Sequence, residues 1–271
     1  ISTSGTNNSG NIASAMGYGT IASGEASTAM GYGTIASGNY STAMGENTTA
    51  LGQGSTAMGH NTIASGSEST ALGHLTHAEA AYSTAMGNQT SATGWASTSM
   101  GDQSISSGMV STAIGSETKA LGDFSTALGI GAKAEGERST AIGNWPHALG
   151  PYSTALGYYN QSLGTSSTSF GDSNVAGGDW STAIGAYTAA NGAYSLSTGH
   201  YTVADGNYST AMGRESTASG EVSAAIGLNS SATGTYSVAI GATNTSSGYA
   251  STTLGDSNWA SGRASTAIGA G

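Results

Sequence analysis

The chain has 271 residues, of which only 7% are charged, and its formal net charge is −10. This acidic balance argues against nucleic acid or an anionic membrane surface as a partner. The chain has no cysteine, which excludes disulfides and thiol chemistry, and no apolar run approaches the roughly 18 residues of a membrane helix.

Glycine recurs every seven residues along almost the whole chain. One series runs from Gly17 to Gly269 in steps of fourteen and closes pentapeptides of the type Ser-Thr-Ala-φ-Gly, where φ is a large apolar residue. The alternate series runs from Gly24 to Gly262, with Ala80 as its only gap. A fixed period predicts one structural unit stacked many times. We therefore expect residues 1–271 to form a single continuous domain of about nineteen coils.

Each fourteen-residue unit divides into two halves of seven positions. The first half reads x-x-Ser-Thr-Ala-φ-Gly, as at 25–31, and the second half reads x-x-Thr-x-Ala-x-Gly, as at 18–24. Alternation over about five positions predicts a strand, and glycine followed by two variable positions predicts a turn. A helix is disfavoured, because each glycine costs about 1 kcal/mol in a helix interior. The expected fold is all-β, a parallel β-roll or solenoid with two short strands and two turns per coil.

The third and fifth positions are small in both halves, as in Ser27 and Ala29 or Thr20 and Ala22. Residues two apart in a strand point to the same face, so these positions are predicted to fill a thin interior. The sixth position of the second half is mostly polar, and we expect it to face water. In the alternative packing, the Thr and φ side chains point inward and the small residues form the subunit contact. The first packing is favoured because it explains the small residues in both halves.

The sixth position of the first half carries a large apolar residue in nearly every coil, and only Thr198 interrupts the series. Soluble monomers rarely expose a continuous apolar stripe, and a symmetric oligomer can cover one around a common axis. We call these residues the apolar row and predict that they form the subunit interface: Met30, Met44, Met58, Leu72, Met86, Met100, Ile114, Leu128, Ile142, Leu156, Phe170, Ile184, Met212, Ile226, Ile240 and Leu254.

The Ser-Thr-Ala-Ile-Gly pentapeptides, Ser-Val-Ala-Ile-Gly at 237–241 and Ser-Glu-Thr-Lys-Ala-Leu-Gly at 116–122 resemble the head repeats of the YadA-like trimeric autotransporter adhesins. The resemblance covers the full chain. It implies a left-handed roll, a homotrimer and an adhesive role at the bacterial outer-membrane surface, with host matrix proteins, glycans or other cells as partners. The constant coil length departs from the family, so a phage tail-fibre shaft or a self-assembling extracellular filament, polymerised end to end, remains an alternative.

Aromatic residues are dense at the turns between Trp145 and Tyr208. One set lies in the first turn, which precedes Ser-Thr-Ala, and another lies in the second turn, which follows the first-half glycine. Amphipathic aromatic side chains favour glycan stacking and protein contacts. They equally suit a seam between subunits. We predict a ligand-binding surface formed by Trp145, Tyr152, Tyr159, Trp180, Tyr187, Tyr194, Tyr201 and Tyr208.

No arrangement of residues predicts catalysis. The chain shows no carboxylate pair in a cleft, no phosphate-binding loop leading into a helix and no nucleophile–base set beyond chance in a Ser-rich sequence. His60 and His74 take equivalent places in successive coils, but neutral surface histidines explain them as well as a metal site does. We therefore predict no enzymatic activity, no metal and no cofactor. The Thr column beside the apolar row leaves ice binding as a minor alternative.

Overall fold

The computed structural model describes residues 5–271, and this part of the chain contains strands and turns but no helix. It divides into two compact units, Ile1–Ala134 and Glu135–Gly271. Each unit by itself is a parallel β-solenoid with coils of fourteen residues, as the glycine period predicts. The single continuous domain expected for residues 1–271 stays a prediction.

One strand of each coil is five residues long and covers the end of the first half. These long strands pair in parallel with an offset of fourteen residues, so that Met30 lies opposite Met44 and Gly31 opposite Gly45. In the first unit they are Ser14–Tyr18, Thr28–Tyr32, Thr42–Glu46, Thr56–His60, Thr70–His74, Thr84–Asn88, Thr98–Asp102, Thr112–Ser116 and Thr126–Ile130. In the second unit they are Thr140–Asn144, Thr154–Tyr158, Thr168–Asp172, Thr182–Ala186, Leu196–His200, Thr210–Arg214, Ala224–Leu228, Val238–Ala242, Thr252–Asp256 and Thr266–Ala270.

The other strand of each coil is only two residues long, shorter than the five positions expected from alternation. The reason is visible at Ala36, whose carbonyl accepts the N–H groups of both Ser23 and Gly24 and so bends the chain away from an extended path. The short strands of the first unit are Asn7–Asn8, Ile21–Ala22, Ile35–Ala36, Thr49–Ala50, Ile63–Ala64, His77–Ala78, Ser91–Ala92, Ile105–Ser106, Lys119–Ala120 and Lys133–Ala134. Those of the second unit are His147–Ala148, Gln161–Ser162, Val175–Ala176, Ala189–Ala190, Val203–Ala204, Thr217–Ala218, Ser231–Ala232, Thr245–Ser246 and Trp259–Ala260.

The interior of each unit is filled by the small residues at the third and fifth positions. Ser27 and Ala29 of a first half are buried, as are Thr20 and Ala22 of a second half. The intervening Thr28 is only half-buried. The favoured packing is therefore confirmed, and the alternative with the Thr and φ side chains inside is wrong. Because these side chains are small, the two sheets pack closely, and Ala, Ser and Thr are enough to fill the interior.

Asparagine replaces the interior threonine in two pairs of successive coils of the second unit. The Asn174 side-chain amide donates to the carbonyls of Phe170 (3.0 Å) and Gly185 (2.8 Å), and its Oδ1 accepts from the Thr188 N–H (2.9 Å). The backbone N–H of Asn174 donates to Oδ1 of Asn160 (2.9 Å). These bonds tie neighbouring coils together inside the solenoid, where a polar group without partners would be costly.

The second residue of nearly every turn has a left-handed backbone. At this place φ is 61° for Tyr40, 51° for Asn47 and 55° for Val110. Strand N–H groups donate forward to the next coil, whereas the N–H of this residue points back. Tyr40, for example, donates to the Glu25 carbonyl of the preceding coil (2.7 Å). Each turn is thus anchored in both directions along the stack.

The glycine that closes the first half lies inside the long strand rather than in a turn, in contrast to the sequence interpretation. Gly31 has φ of 127°, and a Cβ built on it would lie 1.9 Å from the Gly45 carbonyl oxygen. Because that obstacle is backbone, no side-chain movement relieves it. This close approach between coils explains the glycines of this series from Gly17 to Gly255.

Candidate functional site

The apolar row lies on the outer face of the long strands. All sixteen predicted interface residues are half-buried or exposed in the isolated chain, and none is buried. Among the exposed ones, the exposed fraction ranges from 36% for Ile240 to 53% for Phe170. Within each unit, successive members of the row are paired across adjacent strands, as Met86 with Met100 or Ile226 with Ile240. The first unit therefore presents a continuous apolar stripe to the outside, and the stripe of the second unit is interrupted only at Thr198.

The outer surface beside the short strands is different. Its sixth positions are mostly polar and exposed, as at Ser37, Ser107 and Ser219. Leucines occur there too, and Leu149 and Leu163, which lie in adjacent coils, are 40% and 42% exposed. The polar character expected for this surface is confirmed, so each unit has one apolar and one polar face.

The eight predicted aromatic residues lie at two opposite ends of the long strand. Trp180 and Tyr187, for example, flank the strand Thr182–Ala186. We call the first-turn set, Tyr152, Trp180, Tyr194 and Tyr208, the first-turn column, and the second-turn set, Trp145, Tyr159, Tyr187 and Tyr201, the second-turn column. The eight residues therefore form two separate aromatic edges rather than one surface.

In the first-turn column, three aromatic rings stack face to face. Trp180 and Tyr194 have centroids 5.0 Å apart with planes at 7°, and Tyr194 and Tyr208 are 5.0 Å apart at 2°. Tyr152 stands two coils before Trp180, and its hydroxyl accepts a hydrogen bond from Arg138 (2.7 Å). Since the stacked rings cover each other's faces, this column presents mainly ring edges and hydroxyl groups to a ligand.

The second-turn column contains one stacked pair, Tyr187 and Tyr201, with centroids 5.0 Å apart and planes at 11°. His200 packs edge-on against both rings, at 6.3 Å and 4.3 Å. Tyr159 is met edge-on by Tyr158, with centroids 4.5 Å apart. Burial, Tyr159 and the Asp172 carboxylate together raise the pKa of Tyr158 above its usual value. This column is therefore a mixed aromatic and polar surface.

Sequence reasoning missed Tyr158, Asp172 and His200 as members of this surface. All three occupy the first position of a second half, directly before a second-turn column position. Scanning this position at intervals of fourteen would have revealed them. In the first unit the same position is occupied by Tyr18 and Tyr32 in adjacent coils, and their rings stack with centroids 5.2 Å apart.

The two candidate metal-binding histidines also stack, with centroids 5.1 Å apart and planes at 2°. Nδ1 of His74 is 2.8 Å from Oδ1 of Asn88, and the Asn88 amide donates to Asp102 (2.6 Å). Within residues 5–271, no group of three or more His, Cys, Asp or Glu side chains is arranged to hold a metal ion. The histidines thus belong to a hydrogen-bonded polar column on the surface.

The chain also matches a known protein family. No helix in residues 5–271 is long and apolar enough to cross a membrane. A comparison with curated proteins found none that matches the chain. The family model of the YadA head domain repeat, which spans two copies of the repeat, matches residues 9–34, 36–62, 64–90, 92–118, 120–144, 162–188, 190–216, 218–244 and 246–271. These matches cover nearly the whole chain, and with the fourteen-residue coils they establish that the chain belongs to the YadA head repeat family.

Proposed function

We propose that this chain is the head or shaft of a trimeric surface adhesin, a non-enzymatic rod that presents repeated surfaces to other cells, matrix proteins or glycans. Membership of the YadA head family supports an adhesin-like role at the cell surface. Repeated weak contacts suit this role, because simultaneous engagement of several sites raises avidity without any tight individual site. A bacterial outer-membrane location follows the same family argument.

The observation that carries the proposal is the apolar row. Ile142 and Ile184 remain 38% and 39% exposed in the isolated chain, and their neighbours in the row are apolar in almost every coil. Exposed apolar surface of this continuity marks an interaction site. The same row on every chain is self-complementary around a threefold axis, so three chains can bury their rows together. In this assembly the polar face of each chain points away from the axis and is available for partners.

The interface is tested by changing both Ile142 and Ile184 to Asp in the full chain. Buried carboxylates without partners are costly, so we expect the double variant to lose the trimer mass measured by light scattering. The matched control changes Leu149 and Leu163 to Asp, because these residues have similar exposure but lie beside the short strands. Loss of mass in the control, or its retention in the Ile142 and Ile184 variant, would place the interface elsewhere.

The adhesive role is tested separately with an array of glycans and matrix proteins probed by the intact protein. We expect binding that falls when Tyr159, Tyr187 and Tyr201 are changed to Ser, and that survives the control Tyr236→Ser. Undiminished binding by the triple variant would remove the second-turn column from the ligand site. No binding to any array member, together with end-to-end polymers in electron micrographs, would favour the filament.

A further inference from the structure

The second-turn column has a gap of one ring at Ser173. Tyr159, Ser173 and Tyr187 take the same place in three successive coils, with φ of 49°, 55° and 56°. Their N–H groups donate to equivalent carbonyls of the preceding coil, as Ser173 to Tyr158 (2.8 Å) and Tyr187 to Asp172 (2.9 Å). The rings of Tyr187 and Tyr201, in adjacent coils of this column, stack at 5.0 Å. At Ser173 the ring is missing, so Tyr159 and Tyr187 stand about 10 Å apart, two strand spacings of roughly 4.8 Å.

A carboxylate lies beside this gap. Asp172 precedes Ser173, and the Ser173 hydroxyl donates to its Oδ1 (2.8 Å). Tyr158 is paired with Asp172 across adjacent strands, and its ring is edge-on to that of Tyr159. Burial, Tyr159 and Asp172 raise the pKa of Tyr158, and Tyr187 adds to the same effect, so the four groups share one electrostatic environment. The gap is thus bounded by aromatic rings and an acidic side chain.

No lysine or arginine lies near Asp172 in the sequence. Between Arg138 and Arg214 there is no lysine or arginine, while Asp172, Asp179 and Asp205 lie in that interval. The negative charge of these carboxylates attracts cations, and the face of a tyrosine ring also attracts positive charge.

We propose that the gap at Ser173 binds a quaternary ammonium group, held between the rings of Tyr159 and Tyr187 and beside the Asp172 carboxylate. A cation midway between these two backbone positions is about 5 Å from each, which allows both rings to approach it within the roughly 6 Å over which cation–π attraction acts. A primary ammonium needs acceptors for three N–H groups. The gap is flanked mainly by aromatic rings, whose faces attract a quaternary ammonium group without requiring N–H donors. The proposal rests on the proposed function, since it names a ligand chemistry for part of the second-turn column.

The test titrates tetramethylammonium chloride into the full chain at neutral pH and follows the protein and methyl signals by NMR. We expect a dissociation constant in the millimolar range. Tyr187→Leu and Asp172→Asn should each weaken binding about fivefold or more, as expected for loss of one cation–π or charge contact. The control Tyr236→Leu changes an exposed first-turn tyrosine of the same unit and should leave the constant unchanged.

The sharpest variant is Ser173→Tyr, which fills the gap. Tyr187 and Tyr201 have the same backbone conformation, so this variant should fold with an unchanged or higher melting temperature and lose binding. Equal binding by Ser173→Tyr and the parent protein would overturn the proposal. The absence of binding by the parent protein at about 50 mM tetramethylammonium, roughly 50-fold the protein concentration, would also overturn it. Lysine amide binding more tightly than tetramethylammonium would also overturn it.

The source of the ammonium group is separated by two further probes, free choline and phosphatidylcholine vesicles. Binding of choline alone indicates a soluble ligand, whereas binding of both indicates that a headgroup at a lipid surface is accessible to the site. The light-scattering and array experiments do not depend on these titrations. Failure of the ammonium site therefore leaves the adhesin proposal standing, and failure of the adhesin proposal does not alter the measured ammonium affinity.

Discussion

Replacing Gly31 by Ala should destabilise the first unit far more than replacing Gly19 by Ala. Both glycines have positive φ, 127° and 63°, and they lie twelve residues apart in the sequence. At Gly31 a Cβ would be 1.9 Å from the Gly45 carbonyl oxygen, whereas at Gly19 the nearest atoms, in Gly33, are 3.9 Å away. Position 19 is also equivalent to Asn47, which carries a side chain at φ of 51°.

The magnitude follows from what must move. Real Cβ atoms do not approach closer than 3.0 Å, so the strand at Gly31 must shift by about 1 Å. This strains the bond from Thr28 to Ser41 and the bond from Asn47 to Tyr32, which flank the site. Two weakened hydrogen bonds at about 1 kcal/mol each, with about 1–3 kcal/mol of backbone strain, give a loss of about 3–5 kcal/mol. For Gly19→Ala we expect no more than about 1–2 kcal/mol.

The assay is thermal unfolding followed by circular dichroism, with amide hydrogen exchange to locate the change. Gly31→Ala should lower the melting temperature by about 6–20 °C, because 1 kcal/mol corresponds to roughly 2–4 °C in a chain of this size. Exchange should accelerate in Thr28–Tyr32 and Thr42–Glu46. Equal shifts for the two variants would refute the argument that close coil contact, rather than positive φ, requires this glycine.

Three further outcomes are expected. Ala127→Leu places a large side chain in the interior and should cost about 1–3 kcal/mol or more, whereas the exposed control Ser107→Leu should stay within about 0.5 kcal/mol in thermal unfolding. Asn174→Ala removes five side-chain hydrogen bonds, one each with Asn160, Phe170 and Gly185 and two with Thr188, and should cost about 2–4 kcal/mol or more. The exposed Asn191→Ala, which loses one bond to Asp205, should cost much less. The absorbance difference between the parent and Tyr158→Phe should titrate above the ordinary tyrosine range, because the folded state favours the neutral phenol. Any stability from Tyr158 is therefore present below about pH 10 and lost above it, and a difference spectrum that titrates at the ordinary value would contradict this.

Much of the fold was predictable because a single repeat period runs through the chain. The seven-residue glycine spacing defines the coil, and the small residues at the third and fifth positions define the interior, as Ser27 and Ala29 confirm. The length of the second strand was not predictable, because it depends on the Ala36 carbonyl accepting two N–H groups. The strand position of Gly31 was missed for a similar reason. Glycine predicts a turn by its own preference, whereas here its neighbour in the next coil decides.

The surface was only partly predictable. The apolar row was found because its side chains recur at one position and because the coil has two faces, and its outward direction agrees with the structure. Its role as a trimer interface remains a prediction. The aromatic residues were identified one by one, but the stacking of Trp180 on Tyr194 and the inclusion of Tyr158 and Asp172 depend on how side chains lean between coils. Local sequence pattern carries no information about that.

The left-handed turn residue separates what this protein displays from what holds it together. Glycine, Asn47, Val110, Tyr152 and Trp180 all occupy this place with nearly the same φ, and their backbone N–H groups rather than their side chains secure the coil. Substitutions at these positions can therefore change the outer surface one residue at a time while the fold stays the same. Such a chain can diverge quickly in recognition, and a designer can use the same positions as a regularly spaced display grid.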